Sequence, residues 1–134
     1  MGIQPSKAIT GNITFQNVTS IESGAFLYCN ELTSVTMPNV MSIGNDAFSG
    51  CSGLTNVTIG NSLTSIGDSA FSNCSGLMSM TIPDSVTSIE EFAFSDCSDL
   101  RSVTITANGG NAENVKQAMI DAGVPSNITW NMPS

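Results

Sequence analysis

At 134 residues the chain suits one domain, and charged residues make up only 10% of it, against a globular norm of about 25%. A net charge of −8, from 11 acidic and 3 basic residues, argues against nucleic acid, which needs clustered Lys and Arg. No apolar run approaches the ~20 residues of a spanning helix, so no membrane insertion is expected, and the absence of histidine removes His-based triads, imidazole ligands and His proton shuttles.

From the N-terminus, Met1 to Lys7 lacks the long apolar segment of a secretory signal. Residues 1–9 read as a lead-in, and a 22–23-residue period then takes over. Ala-Phe-x-x-Cys recurs at Ala25 to Cys29, Ala47 to Cys51, Ala70 to Cys74 and Ala93 to Cys97. A Leu follows each Cys by three positions (Leu32, Leu54, Leu77, Leu100), and an Ile precedes each Phe by five (Ile21, Ile43, Ile66, Ile89). Such a period means a stacked repeat architecture, in which each unit buries its apolar face only against its neighbours.

A partial first unit starts near Thr10, with Ile13, Phe15, Val18 and Ile21 in the apolar columns. Units then run from 32 to 53, 54 to 76 and 77 to 99, and another opens at Leu100 and departs from the pattern after Ile105. Within a unit, Val57-Thr58-Ile59 alternates apolar and polar residues, the period-2 mark of a strand. Pro38, Gly60 and Pro83 punctuate the strand end, and a second extended piece follows at Leu63 to Ile66 and Val86 to Ile89. Ala-Phe-x-x-Cys is too short for a stable isolated helix and is expected as one or two helical turns held by packing. Each unit is then one coil of an α/β solenoid, with a parallel sheet on one side and right-handed coiling by the crossover rule.

The columns at Leu77, Met80, Ile82, Pro83, Val86, Ile89, Ala93, Phe94 and Cys97, with their equivalents in the other units, closely resemble the BspA-like leucine-rich repeats of bacterial and some protozoan surface proteins. The resemblance covers roughly residues 10 to 106. It implies a leucine-rich-repeat solenoid and a role in extracellular adhesion or recognition, at the cell surface.

Residues 107–134 read as a C-terminal cap. Asn108 to Asn111 breaks the last strand, and Val115, Ala118, Met119 and Ala122 fall at helical spacing in an amphipathic helix over 112–122. Asn111 is the expected N-cap, Glu113 suits the first turn, and Gly123 with Pro125 ends the helix. Ile128-Thr129-Trp130 is expected to add a parallel strand, with the helix and Trp130 sealing the last coil. The N-terminal side has no such cover. A strand at Asn12 to Phe15 would leave an open edge, which residues 1–10 either fold over or leave to mediate self-association.

The chemistry-bearing residues are few. Four cysteines in one column point the same way, which suits neither a disulfide torsion nor convergent metal ligands; they read as small buried thiols. No Ca²⁺ loop pattern occurs, nothing pairs a nucleophile with a base, and neither cofactor nor catalysis is expected. Asn17, Asn39, Asn61 and Asp84 follow the strand ends, where such side chains cap turns. Five Asn-x-Ser/Thr sequons, at Asn12, Asn17, Asn56, Asn73 and Asn127, follow from composition. The outward strand positions form two polar columns, and Ser34, Thr36, Asn56, Thr58, Ser79, Thr81, Ser102 and Thr104 are the candidate binding face. Such a face can take a sugar, a peptide strand or an ordered water lattice, although Thr is also simply a good exposed strand residue. The expected function is a non-enzymatic extracellular recognition or adhesion module for a host or neighbouring-cell surface protein or glycan. A structural spacer or a self-assembling subunit is the alternative.

Overall fold

The computed structural model describes residues 10–107 and 110–133; the lead-in at 1–9 and the break at Asn108-Gly109 lie outside them. The chain winds as a solenoid. One side is a six-stranded parallel sheet in the order β1 (Gly11–Thr14), β3 (Leu32–Met37), β5 (Asn56–Ile59), β7 (Ser79–Pro83), β9 (Ser102–Thr106) and β10 (Thr129–Asn131). A second, narrower parallel sheet joins β2 (Ser20–Ile21), β4 (Ser42–Ile43), β6 (Ser65–Ile66) and β8 (Ser88–Ile89). One helix, α1 (Ala112–Asp121), lies between β9 and β10.

Period-2 alternation places one face of each long strand inside. Val35, Val57, Met80 and Val103 stack in register, and Leu32, Leu54, Leu77 and Leu100 recur once per coil; all are at most 1% exposed. Phe48, Phe71 and Phe94 are fully buried and stack with centroids 5.3 and 5.6 Å apart, near parallel. Phe26 and then Phe15 continue the column toward the N-terminus. Gly60 sits where neighbouring coils approach closely: a Cβ there would run into the Pro38 carbonyl oxygen.

The Ala-Phe-x-x-Cys segments differ in kind from the helical turns expected. Residues two before and two after each Phe take φ between 58° and 76°: Gly24 and Tyr28, Asp46 and Gly50, Ser69 and Asn73, Phe92 and Asp96. Alternate N–H groups therefore leave their own coil. Those of Asp46, Phe48 and Gly50 donate to Asp68, Ala70 and Ser72 carbonyls in the next coil. Those of Ala47, Ser49 and Cys51 close tight turns onto Gly44, Asp46 and Phe48. The left-handed residues interrupt helix propagation, and in exchange the ridge gains a ladder of bonds between coils.

The cap also departs in one detail. Asn111 occupies the N-cap position of α1 but its side chain makes no capping bond; its amide instead donates to the Val86 carbonyl. The carboxylate of Asp84, only 1% exposed, accepts from the Gly110 and Asn111 N–H groups at 3.1 and 3.2 Å. An acid from the fourth coil thus receives the positive end of the capping helix. Val115, Met119 and Ala122 form the buried side of α1, and the N–H of Phe94 donates to the Ala122 carbonyl. The final strand starts one residue later than expected, at Thr129.

Candidate recognition face

The long strands present two outward columns across the sheet. Asn12, Ser34, Asn56, Ser79, Ser102 and Thr129 are aligned by strand register in one; Thr14, Thr36, Thr58, Thr81, Thr104 and Asn131 in the other. Adjacent members of a column lie about 4.8 Å apart, the strand spacing. No member carries charge or an aromatic ring. All eight residues expected on this face fall into these columns, seven of them half-buried and Asn56 exposed.

The columns differ in how their polar groups are engaged. In the first, Ser34 Oγ donates to Asn12 Oδ1 at 2.6 Å and Ser79 Oγ to Asn56 Oδ1 at 3.1 Å. At the far end of the second, Asn131 Nδ2, which sequence reasoning did not include, bridges the columns by donating to both Ser102 Oγ and Thr104 Oγ1 at 3.3 Å. The hydroxyls of Thr36, Thr58 and Thr81 make no side-chain bond among the described residues, so that middle stretch keeps donor and acceptor capacity for a partner. The rim carries Thr33, whose hydroxyl donates to Asn12 Oδ1, and Met78, which is 55% exposed.

Two other features were less visible in the sequence. A shallow groove of about 460 Å³ follows the second sheet, with Ser20, Ser42, Ser65 and Ser88 along it and Glu22 and Glu90 toward its ends. The recurring Ser-Ile pair is its signal. On the turn ridge, Tyr28 and Phe92 are 71% and 57% exposed in left-handed conformations, where the other coils place Gly, Asp, Ser or Asn. Such bulky residues cost roughly 1–2 kcal/mol there; only their departure from the repeat's residue types marks them.

The cysteines have a definite structural part. All four are buried and none is in a disulfide. Sγ of Cys51, Cys74 and Cys97 each donates to the carbonyl of the preceding coil's Phe, at 3.1 Å. Burial pushes the thiols of Cys51 and Cys97 up to about 12 and that of Cys74 up as well, holding them as neutral donors.

Residues 7–119 match the family described as "BspA type Leucine rich repeat region", in six copies. Comparison with curated proteins returned no match. A leucine-rich repeat protein from Bacteroides capillosus is 32% identical over 77% of this chain and 78% of its own, with a TM-score of 0.59. A leucine rich cell surface protein from Faecalibacterium prausnitzii is 28% identical over 95% of this chain, with a TM-score of 0.57. The chain spans 38% of that protein, and 57% of a T. pallidum leucine-rich-repeat protein 29% identical to it over 69% of this chain, with a TM-score of 0.46.

Proposed function

The chain belongs to the BspA-type leucine-rich-repeat family, and from that premise we propose that it is a non-enzymatic recognition module that contacts its partner through the six-stranded face. The observation that carries this reading is the row Thr36, Thr58 and Thr81: regularly spaced, uncharged, with hydroxyls unspent by the fold. The absence of an aromatic ring in either column favours a protein partner over a glycan, because sugars are usually held by stacking on rings as well as by hydrogen bonds. The similarity to a cell surface protein supports a location outside the cell. No helix among the described residues is long and apolar enough to cross a membrane.

The test is immobilised extracellular-matrix proteins and a glycan panel, probed with the intact chain and with the triple variant Thr36→Lys, Thr58→Lys, Thr81→Lys. These side chains are outward and half-buried, so the variant should keep its circular dichroism spectrum. Three new positive charges on an uncharged face should weaken binding at least tenfold. Unchanged affinity moves the contact to another surface; binding confined to glycans overturns the preference for protein.

A further inference from the structure

The groove on the second sheet is made by an interruption in one column. The residue that follows each Ser-Ile pair is Glu22 in the first coil, Gly44 and Gly67 in the middle coils, and Glu90 in the fourth. The glycines answer to packing, because a Cβ on Gly44 would run into the Ser23 backbone and one on Gly67 into Asn45. On the outside they leave a floor without side chains, about 460 Å³ of groove running along the coils between two carboxylates. That volume lies in the range of small-molecule sites, roughly 300–1,000 Å³.

The free groups of the groove favour a cation. The Ser42 and Ser65 hydroxyls line it and make no bond among the described residues, so both keep acceptor capacity. Ser88 Oγ donates to Glu90 Oε2 at 3.1 Å, which holds that carboxylate at the groove's end. Asn45 Oδ1 is taken by the Asp68 N–H. Asp68 and Glu91 follow Asn45 at the coil period and add to the negative potential on that side. Neither described cation lines the groove: Arg101 donates to the Ser98 and Leu100 carbonyls, and Lys116 lies 5.6 Å from the Trp130 ring. The strands beneath already pair with one another from coil to coil, so the floor offers a peptide backbone no ladder to join.

We propose that the groove binds a linear polyamine, extended along the coils, with a terminal ammonium at each of Glu22 and Glu90. Its inner N–H groups fall on the Ser42 and Ser65 hydroxyls. The two carboxylates are carried three strand spacings apart, about 14 Å, so a slender chain spans them and a compact cation meets only one. Bare methylenes between the nitrogens suit a floor of glycine and strand backbone. The proposal is independent of the strand-face reading, because it uses the other sheet and leaves Thr36, Thr58 and Thr81 uncovered.

Isothermal titration calorimetry of the full chain with putrescine, spermidine and spermine at low ionic strength tests it. Spermine should bind at one equivalent, and putrescine, too short to reach both carboxylates, about tenfold more weakly. Glu22→Gln combined with Glu90→Gln should weaken spermine binding by about tenfold, two exposed ion pairs being lost. Glu31→Gln with Asp99→Asn is the control. These acids are also exposed and three coils apart, on the turns before the long strands, and their removal should leave the affinity unchanged. Ser65→Phe fills the groove without changing charge, on a strand position that accepts an aromatic, and should abolish binding. Circular dichroism separates a filled groove from a lost fold, and the paired Gln variant decides independently. Spermine binding weaker than about 1 mM, equal losses from the two pairs of acids, or unchanged affinity in folded Ser65→Phe overturns the proposal. So does tighter binding of a tetralysine peptide, which would make the occupant a polypeptide.

Discussion

The first and last coils contain the same kinds of residue and reach different degrees of burial. In β1 no residue is fully buried, and Ile13, Phe15, Val18 and Ala25, which pack against the core, are themselves only half-buried. In the last coil Val103 and Ile105 are at most 1% exposed, because Val115, Met119 and Ala122 of the cap pack over that end. A repeat buries its apolar columns only when something covers both of its sides. At the C-terminal end this cover is not another repeat but a helix and strand tied down by Asp84.

The sharpest way to measure that difference is to truncate the aromatic column at two points. Phe71 has a stacked ring on each side, and Phe71→Ala should cost about 3–5 kcal/mol in a denaturant titration. Phe15, half-buried at the open end, should cost well under half as much when truncated. Equal losses would mean that the N-terminal end is covered as fully as the middle.

Removing the tie at the other end comes next in size. Asp84→Ala leaves the Gly110 and Asn111 N–H groups without their acceptor and should cost about 1–3 kcal/mol. Hydrogen exchange should speed up first in α1 and β10 and leave β3 to β7 unchanged. Asn111→Ala removes only the side-chain bonds to Val86 and Asn114 and should cost less. A reversed order would return the capping role to Asn111.

Most of the fold was legible because it rests on side-chain periodicity. Leu, Val, Ile, Phe and Cys columns could be aligned by counting, and alternation alone put Thr36, Thr58 and Thr81 outside. Two kinds of feature were not legible. The ridge backbone is set by cooperation between coils: Tyr28 and Phe92 adopt a left-handed conformation that their own residue types disfavour. Asp84 acts on Gly110 and Asn111, 26 and 27 residues away, beyond any local capping signal. The candidate face was legible as two columns, but not which hydroxyls bond one another. That depends on Asn rotamers at Asn12 and Asn56 and on Asn131, which joins from outside the repeats.

The smallest effect, and the one that separates the two ends most finely, belongs to the thiols. In an unfolded chain a cysteine ionises near 9, whereas burial holds Cys51 and Cys97 protonated up to about 12. A thiol whose folded value is raised contributes its full stability below pH 9 and loses it as the pH climbs toward 12. At pH 10 each such thiol should therefore weaken the fold by about 1 kcal/mol relative to pH 8, since one unit is about 1.4 kcal/mol. Cys51→Ala lowers stability at pH 8 through the lost bond to Phe26, but it should also reduce the drop between pH 8 and pH 10 by about 1 kcal/mol. Cys29 is also raised by burial, yet it lies in the first coil, beside the open end. Its replacement by Ala should reduce the drop by a smaller amount, and it should be the first thiol alkylated at pH 8, ahead of Cys97 beneath the cap. Alkylation of Cys97 first, or equal effects of the two substitutions on the pH dependence, would show that the two ends open with the same ease.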